Sequence, residues 1–472
     1  MKDRTAKITG IILEAARKAR EETKGEPEPH LINPAEWPIQ CTVGPGLEGA
    51  IACESRIGYV NGSKGWLIYR GYDIFDLCAH TTYEEVSYLL LNGKLPNREE
   101  LDDYRDRLFK YSHLPLTMRT LMGFPVEKMN TMGALRLGTN MMRQEFTNLD
   151  TADITLPDQA SIGSDEDSIA METTPRGQDR ATYEFRRKAL GKLARARRKP
   201  RNVRDMEHAS GIDASLHLIA GVPAIMAAIA RIHRKRMPLE PRRDLSHAGN
   251  LLYMITGQRP DPEEERIMDI CLILHADHGM NASTFATMVV ASTLADMYFS
   301  IGAGIGALSG PLHGGANEEV VRMLKEIGSP KKVKSWLAKK RAEGKKITGF
   351  GHRVYKSYDP RARILGPLAE YMVGTRKKYL PLYETAKELE QQVVRTLGSE
   401  KKIFPNVDFY SGIVYSCLDI PTDFFTPIFA VSRVAGWTAR TMEYLENNRI
   451  FRPRALYTGD FNRKVDPIDR RG

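Results

Sequence analysis

The chain has 472 residues, of which 42% are hydrophobic and 27% charged, with a formal net charge of +10. Such a composition excludes a disordered or low-complexity polymer and leaves room for more than one domain around a sizeable core. The positive excess suits anionic partners (nucleic acid, a membrane surface, carboxylated or phosphorylated metabolites) without choosing among them.

Cys41, Cys53, Cys78, Cys271 and Cys417 are odd in number and scattered, with no C-x-x-C pair. That pattern fits free thiols in a reducing compartment. The N-terminus has no apolar h-region of a signal peptide, so the expectation is a cytoplasmic protein. The apolar stretch Leu216–Ala230 contains Pro223 and is too short to span a bilayer. Phe285–Leu308 carries Asp296 and reads as a buried core or interface helix.

In chain order, Thr5 to Arg20 forms a helical pattern with Ile8, Ile11, Ile12, Ala15 and Ala19 on one side. Gly25 to Pro38 is a Pro- and Glu-rich linker. The one clear β signal follows: Ile57–Val60 and Trp66–Tyr69 flank the tight-turn pair Asn61-Gly62. Beyond Tyr72 the pattern is helical almost to the end. Thr82 with Glu85 makes a capping box closed by Gly93, and Asn97 with Glu100 repeats the spacing. Ser329-Pro330 opens another helix and Gly344 ends it. The fold class is mainly α with a small N-terminal β-hairpin. One segment breaks the rhythm. From 148 to 206 the chain is first acidic, then strongly basic, and too poor in large apolar residues to repay its ordering entropy. It reads as a charged, partly disordered surface insertion with one basic helix around Tyr183–Arg197. Lacking interleaved aromatics, it is a poor base-stacking surface.

Several chemical motifs can be set aside. Gly302, Gly304, Gly306 and Gly310 follow no strand and sit in no βαβ unit, so they read as close helix packing, not a dinucleotide loop. His275, Asp277 and His278 lack the companions of a metal set. No G-x-S-x-G elbow or P-loop is present.

What remains is PLHGGAN at 311–317, TGFGHRVYKSYDPR at 348–361 and FPNVDFYSG at 404–412. Gly349 and Gly351 bare the backbone before His352, whose ordinary pKa near ~6.5 suits proton transfer. Arg353, Lys356 and Arg361 follow, and Asp359-Pro360 reads as an N-cap with proline at N1. His313 precedes two glycines. Asp408 sits between Val407 and Phe409, in surroundings that would raise a carboxylate toward general-base strength. Two histidines and a carboxylate without a recognisable nucleophile suit acid–base chemistry at carbon and at a carbonyl oxygen. Arg361, Arg433 and Arg452 could hold a small polycarboxylate in bidentate forks.

At these residues the chain resembles the citrate synthase family. HADHGMNAS, GPLHGGAN, GFGHRVYKSYDPR, FPNVDFYSG and RPRALYTG occur in order, and the likeness runs from about Gly44 to Gly459 outside the insertion. The resemblance implies a helical homodimer: an N-terminal helix and linker (1–43), a large domain (44–316 plus 420–472) and a small domain (317–419). It implies condensation of acetyl-CoA with oxaloacetate and hydrolysis of the thioester to citrate and CoA. Asp408 would be the base, His313 would hold the enol oxygen, and His352 would polarise and protonate the oxaloacetate carbonyl. His278, Arg361 and Arg433 match oxaloacetate ligands, with Arg452 supplied across the dimer interface. Gly349, Phe350, Gly351 and Lys356 match CoA contacts, and Lys339, Lys340, Arg341, Lys345 and Lys346 add positive field on the approach. No metal and no resident cofactor are implied, the CoA thioester being a substrate; neither membrane nor nucleic acid is an expected partner. Two rivals stay open: a 2-methylcitrate synthase using propionyl-CoA, and a non-catalytic protein binding through its basic insertion.

Overall fold

A computed structural model of the chain describes residues 2–29, 37–146, 203–398 and 401–460, together with 465 and 467–470. Residues 147–202, with most of the charged insertion and its expected basic helix, lie outside the described residues, as do 30–36 of the linker.

The N-terminal periodicity becomes helix α1 (Lys2–Glu22), a turn longer than expected, with Ile8, Ile12, Ala15 and Ala16 buried. Strands β1 (Gly58–Asn61), β2 (Trp66–Tyr69) and β3 (Tyr72–Asp73) form an antiparallel sheet in that order. β1 and β2 pair from Gly58–Tyr69 to Asn61–Trp66, so Asn61 belongs to the strand and the turn is Gly62–Gly65. Strand β3 was not expected. It is two residues long and has no alternating pattern to read.

The helical run follows: α2 (Ile74–His80), α3 (Tyr83–Asn92), α4 (Arg98–Tyr111), α5 (Pro115–Gly123), α6 (Thr131–Met141), α7 (Val203–His233), α8 (His247–Thr256) and α9 (Pro262–His275). Both expected capping boxes are present, at Thr82/Glu85 and Asn97/Glu100, and Gly93 ends α3 in the left-handed region. Residues 211–233 of α7 are apolar and long enough to cross a membrane. Here they are the core: Leu218, Ile219, Val222, Ile225 and Ile229 are fully buried, and α7 packs on α4, α6, α8 and the long C-terminal helix.

The stretch read as one helix over 285–308 is two, α10 (Ala282–Ser292) and α11 (Met297–Leu308). Leu294 takes φ 65° and Asp296 accepts from the Tyr298 and Phe299 N–H groups to start the second. Gly302 and Gly304 do serve close packing. A Cβ on Gly304 would lie 2.3 Å from Thr287 Oγ1, and one on Gly302 2.1 Å from Asn140 Oδ1.

Next come α12 (Ala316–Ile327), α13 (Val333–Ala342), α14 (Pro360–Thr375), α15 (Leu380–Val393), α16 (Val407–Cys417) and α17 (Phe425–Leu445). Helices α12 to α16 pack chiefly on one another, whereas α17 returns to α7, α9, α10 and α11. From Phe425 to Thr441 every residue of α17 is buried. Each large side chain buried there contributes roughly 1.5–3 kcal/mol.

Candidate active site

The loop before α14 and the segment before α16 are laced together. The Gly351 N–H donates to Phe404 O (2.8 Å), the Asn406 N–H to Gly349 O (2.9 Å), and Asn406 Nδ2 to Gly351 O (3.0 Å). Gly349 has φ 85°, and a Cβ there would fall 2.7 Å from Val320 Cγ2 and 2.9 Å from Phe409 Cδ2. The close approach, and not turn geometry alone, demands glycine. His352 and Asp408 are therefore carried on one braced unit.

The β1–β2 turn supports that unit from the other side. Gly62 O accepts from the Lys356 N–H (3.0 Å) and the Ser357 hydroxyl (3.0 Å). His352 Nδ1 in turn accepts from the Val354 and Tyr355 N–H groups, at 3.0 and 3.2 Å. Backbone amides can only donate, so the proton of the neutral ring is on Nε2. Burial pulls the His352 pKa down to about 4. At neutral pH this residue is an uncharged donor.

His313, at the end of the loop before α12, reaches the same state by a different route. Its Nε2 lies 3.2 Å from the Ser283 N–H, which donates to it, and 2.8 Å from Ser283 Oγ. The proton therefore sits on Nδ1. Burial, with a smaller push from Arg433, lowers this pKa to about 4 as well.

Asp408 is in the first turn of α16, where the helix dipole favours a carboxylate by about 0.3–1 kcal/mol. Burial outweighs the dipole and lifts the pKa to about 7. Its Oδ1 is wholly buried and has no hydrogen-bond partner. A carboxylate left this bare is poorly stabilised in its charged form and correspondingly basic.

Two buried arginines act on these groups. Arg361 is locked to Asp359, Nε to Oδ1 at 3.0 Å and Nη2 to Oδ2 at 2.8 Å. Arg433 is 1% exposed; its Nε donates to His275 O (2.5 Å), but its Nη2 is buried without a partner. Burial lowers its pKa to about 10. A buried guanidinium with no carboxylate beside it is a receptor for an anion. The Arg433 charge is felt at His313, Asp408 and His278, and the Arg361 charge at His352, Asp408 and His278. The His278 ring centroid lies 5.2 Å from that of His352, and its Nε2 is 3.3 Å from Tyr355 Oη. Two neutral imidazole donors and a basic carboxylate are thus tied electrostatically to the same two buried arginines.

The "Citrate synthase, C-terminal domain" family profile matches residues 46–454. The citrate synthase of Acidithiobacillus ferridurans is 39% identical over 428 residues, covering 90% of this chain and 98% of that protein. This chain belongs to the citrate synthase family. Citrate synthase 2 of Bacillus subtilis is 38% identical with the same coverage of both chains. The crystal structure of Pyrobaculum aerophilum citrate synthase superposes with TM-score 0.74 at 38% identity, covering 94% of this chain and all of that one. The Thermoplasma acidophilum enzyme, solved as a ternary complex with carboxymethyl coenzyme A and oxaloacetate, gives 0.75 at 31% identity, with 92% and 100% covered.

Two of the residues expected to contact substrates lie at the surface of this chain. Arg452, expected to act across the dimer interface, is exposed, and among the described residues its guanidinium donates to the neighbouring Pro453 O (3.2 Å). Lys356 is exposed beside the β1–β2 turn. Others were missed. Ser283 fixes the His313 tautomer, and Arg440 holds Asp277 through Nε to Oδ1 (2.7 Å) and Nη2 to Oδ2 (2.8 Å). Ser283 lies inside the HADHGMNAS string, two residues after the Asn281 cap of α10, so its position was visible though its partner was not.

Asp359 does more than cap α14. It is 1% exposed, and besides Arg361 it accepts the Val407 N–H (3.2 Å) in the first turn of the helix carrying Asp408. Burial would raise its pKa, but Arg361 beside it outweighs that and holds it below the usual range. Asp359→Asn keeps a capping oxygen and removes the charge. It is expected to lower unfolding stability by about 1.5–3 kcal/mol, the worth of hydrogen bonds to a charged group, measured from the urea midpoint of the ligand-free protein at pH 7.

Proposed function

We propose that the chain condenses acetyl-CoA with oxaloacetate and hydrolyses the resulting thioester to citrate and CoA. The observation that carries this reading is Asp408, a carboxylate with a buried, unpartnered Oδ1 and a pKa of about 7, under the charges of the same two arginines that act on the neutral His313 and His352. Asp408 takes a proton from the acetyl methyl group. The His313 Nδ1–H donates to the thioester oxygen as it gains enolate charge. The His352 Nε2–H polarises the oxaloacetate carbonyl and delivers a proton to the alkoxide as the carbon–carbon bond forms. A thioester α-proton is far less acidic than any carboxylic acid, so the base alone is insufficient; a preorganised donor supplies the rest.

Arg433 and Arg361 bind the oxaloacetate carboxylates with His278, and selectivity for a dianion follows from the buried Arg433 guanidinium, whose Nη2 has no partner. Arg452, exposed on the C-terminal segment, acts in the site of a second copy, which makes the homodimer the active form. Gly349–Gly351 and Lys356 take CoA, guided by Lys339, Lys340, Arg341, Lys345 and Lys346. Residues 317–419 act as a small domain closing on the remainder, which excludes water from the enol. The thioester carries its own activation, so no metal or resident cofactor enters, and free thiols suit a cytoplasmic setting. That the Thermoplasma enzyme was solved with oxaloacetate and a CoA analogue supports this choice of substrates.

The test is thiol release from purified protein with oxaloacetate and either acetyl-CoA or propionyl-CoA. One methylene in an apolar pocket is worth about 1–3 kcal/mol, or roughly 10–200-fold. Acetyl-CoA is expected to show the higher kcat/KM by at least tenfold. A higher value for propionyl-CoA would make the chain a 2-methylcitrate synthase on the same residues.

A further inference from the structure

Helix α1 precedes the part of the chain matched by the family profile, which starts at residue 46. It nevertheless lies against both halves of the molecule. One side packs on α2 and α9, with Arg20 3.9 Å from Asp76; the other packs on α14, and Ile8 and Ile12 between them are fully buried. On the α14 side Glu22 accepts from Arg363 Nη1 (3.0 Å) and is also paired with Nη2, while the Lys7 ammonium sits 5.1 Å above the Tyr371 ring. Arg363 is two residues beyond Arg361 and stacks on Tyr358, 4.4 Å from its ring centre. The chain then runs back so that Glu28 pairs with the buried Lys64, in the same β1–β2 turn whose Gly62 O holds Lys356 and Ser357.

We propose that the N-terminal arm is an interdomain clasp, and that Glu22 is a positioning residue acting through Arg363 on the helix that carries Arg361. The proposal rests on reading 317–419 as the moving small domain. Under that reading α14 travels when the cleft opens and α2 and α9 do not. A helix seated on all three must give up one set of contacts, so its seating favours the closed form by whatever it loses on opening. The clasp tightens oxaloacetate binding and slows release of product.

Glu22 is largely exposed and its ion pair is the weaker part; the buried isoleucines are the stronger. Glu22→Ala is expected to raise the KM for oxaloacetate about threefold and Ile12→Ala about tenfold, with kcat unchanged or increased. Arg363→Ala should match Glu22→Ala, and the double variant should be no worse than either single one. The radius of gyration of the ligand-free protein in X-ray scattering should grow in the same order. Variants that lower the thermal midpoint while KM and radius stay at wild-type values would show a merely structural helix and overturn the clasp. If Ile12→Ala fails to fold, the Glu22/Arg363 cycle decides alone: additive effects, or none, reject the proposal. A wild-type protein that releases no thiol from acetyl-CoA and oxaloacetate would instead refute the enzymatic reading.

Discussion

Asp408→Asn is expected to lose roughly 10²–10⁴ in kcat, the range for a positioned general base, and to be more stable than the wild type at pH 8. The two effects have one cause. In the folded protein burial holds this carboxyl near 7, against an ordinary 3.8. The raised value means the folded state prefers the protonated form. The contribution from Asp408 is therefore fully present below about pH 4 and is lost as pH climbs toward 7. That interval corresponds to roughly 4 kcal/mol as an upper limit. Asparagine cannot ionise, so the variant keeps what the wild type loses. Urea midpoints of the two ligand-free proteins should differ most at pH 8, in favour of the variant, and converge near pH 4. The wild-type kcat/KM for acetyl-CoA should rise between pH 6 and 8 with an apparent pKa of about 7. A variant equally destabilised at both pH values would show that Asp408 is held by partners and is not the strained base inferred above.

The fold and the site were legible in the sequence to different degrees. Local signals held: the capping boxes, the Asp359-Pro360 start of α14 and the buried face of α1 are set by neighbours within a few residues, where spacing carries the physics. The direction for Asp408 was also right, but for an incomplete reason. Val407 and Phe409 are its neighbours in sequence, and on a helix adjacent residues do not share a face. Its burial comes from the surrounding fold, acting against the favourable dipole of its own helix. The break at Leu294 between α10 and α11 was missed although Asp296, which caps α11, marks it in the sequence. Ser283 and Arg440 were missed for a different reason: their partners, His313 and Asp277, lie 30 and 163 residues away, and no local pattern encodes such pairs. The same limit applies to α1, whose apolar stripe announced that it docks but not that it docks on α2, α9 and α14 together.

The contrast among three buried arginines shows what a binding site costs. Arg361 and Arg440 form ion pairs with Asp359 and Asp277; among the described residues Arg433 forms none and feels the Asp277 charge only from beyond ion-pair distance. Breaking a buried ion pair typically costs about 3–5 kcal/mol, because the remaining charge is left uncompensated. Arg433, buried without an ion pair, is part of the way to that condition, and a dianionic substrate relieves it. Burial is what keeps His313 and His278 uncharged, and the Arg433 charge pushes both the same way, so one residue attracts the substrate and reinforces the neutral state of two imidazoles.

His313→Ala is expected to lower kcat by about 10²–10³ with little change in the KM for acetyl-CoA, because the lost hydrogen bond matters most when the thioester oxygen gains charge. Ser283→Ala keeps the backbone N–H that fixes the ring and should cost far less, about threefold to tenfold, which separates loss of the donor from loss of its orientation. The stability effect runs opposite to that of Asp408. Burial depresses the His313 pKa from 6.5 to about 4, so the folded state prefers the neutral ring. The stability contributed is present above pH 6.5 and is lost as pH falls toward 4, an interval worth roughly 3 kcal/mol as an upper limit. Removing the imidazole abolishes that loss. The gap between wild-type and His313→Ala urea midpoints should therefore narrow, or reverse, from pH 7 to pH 4.5. A gap that stays constant while kcat falls would mean that the ring titrates at its ordinary value in the folded protein and that burial is not what holds it neutral.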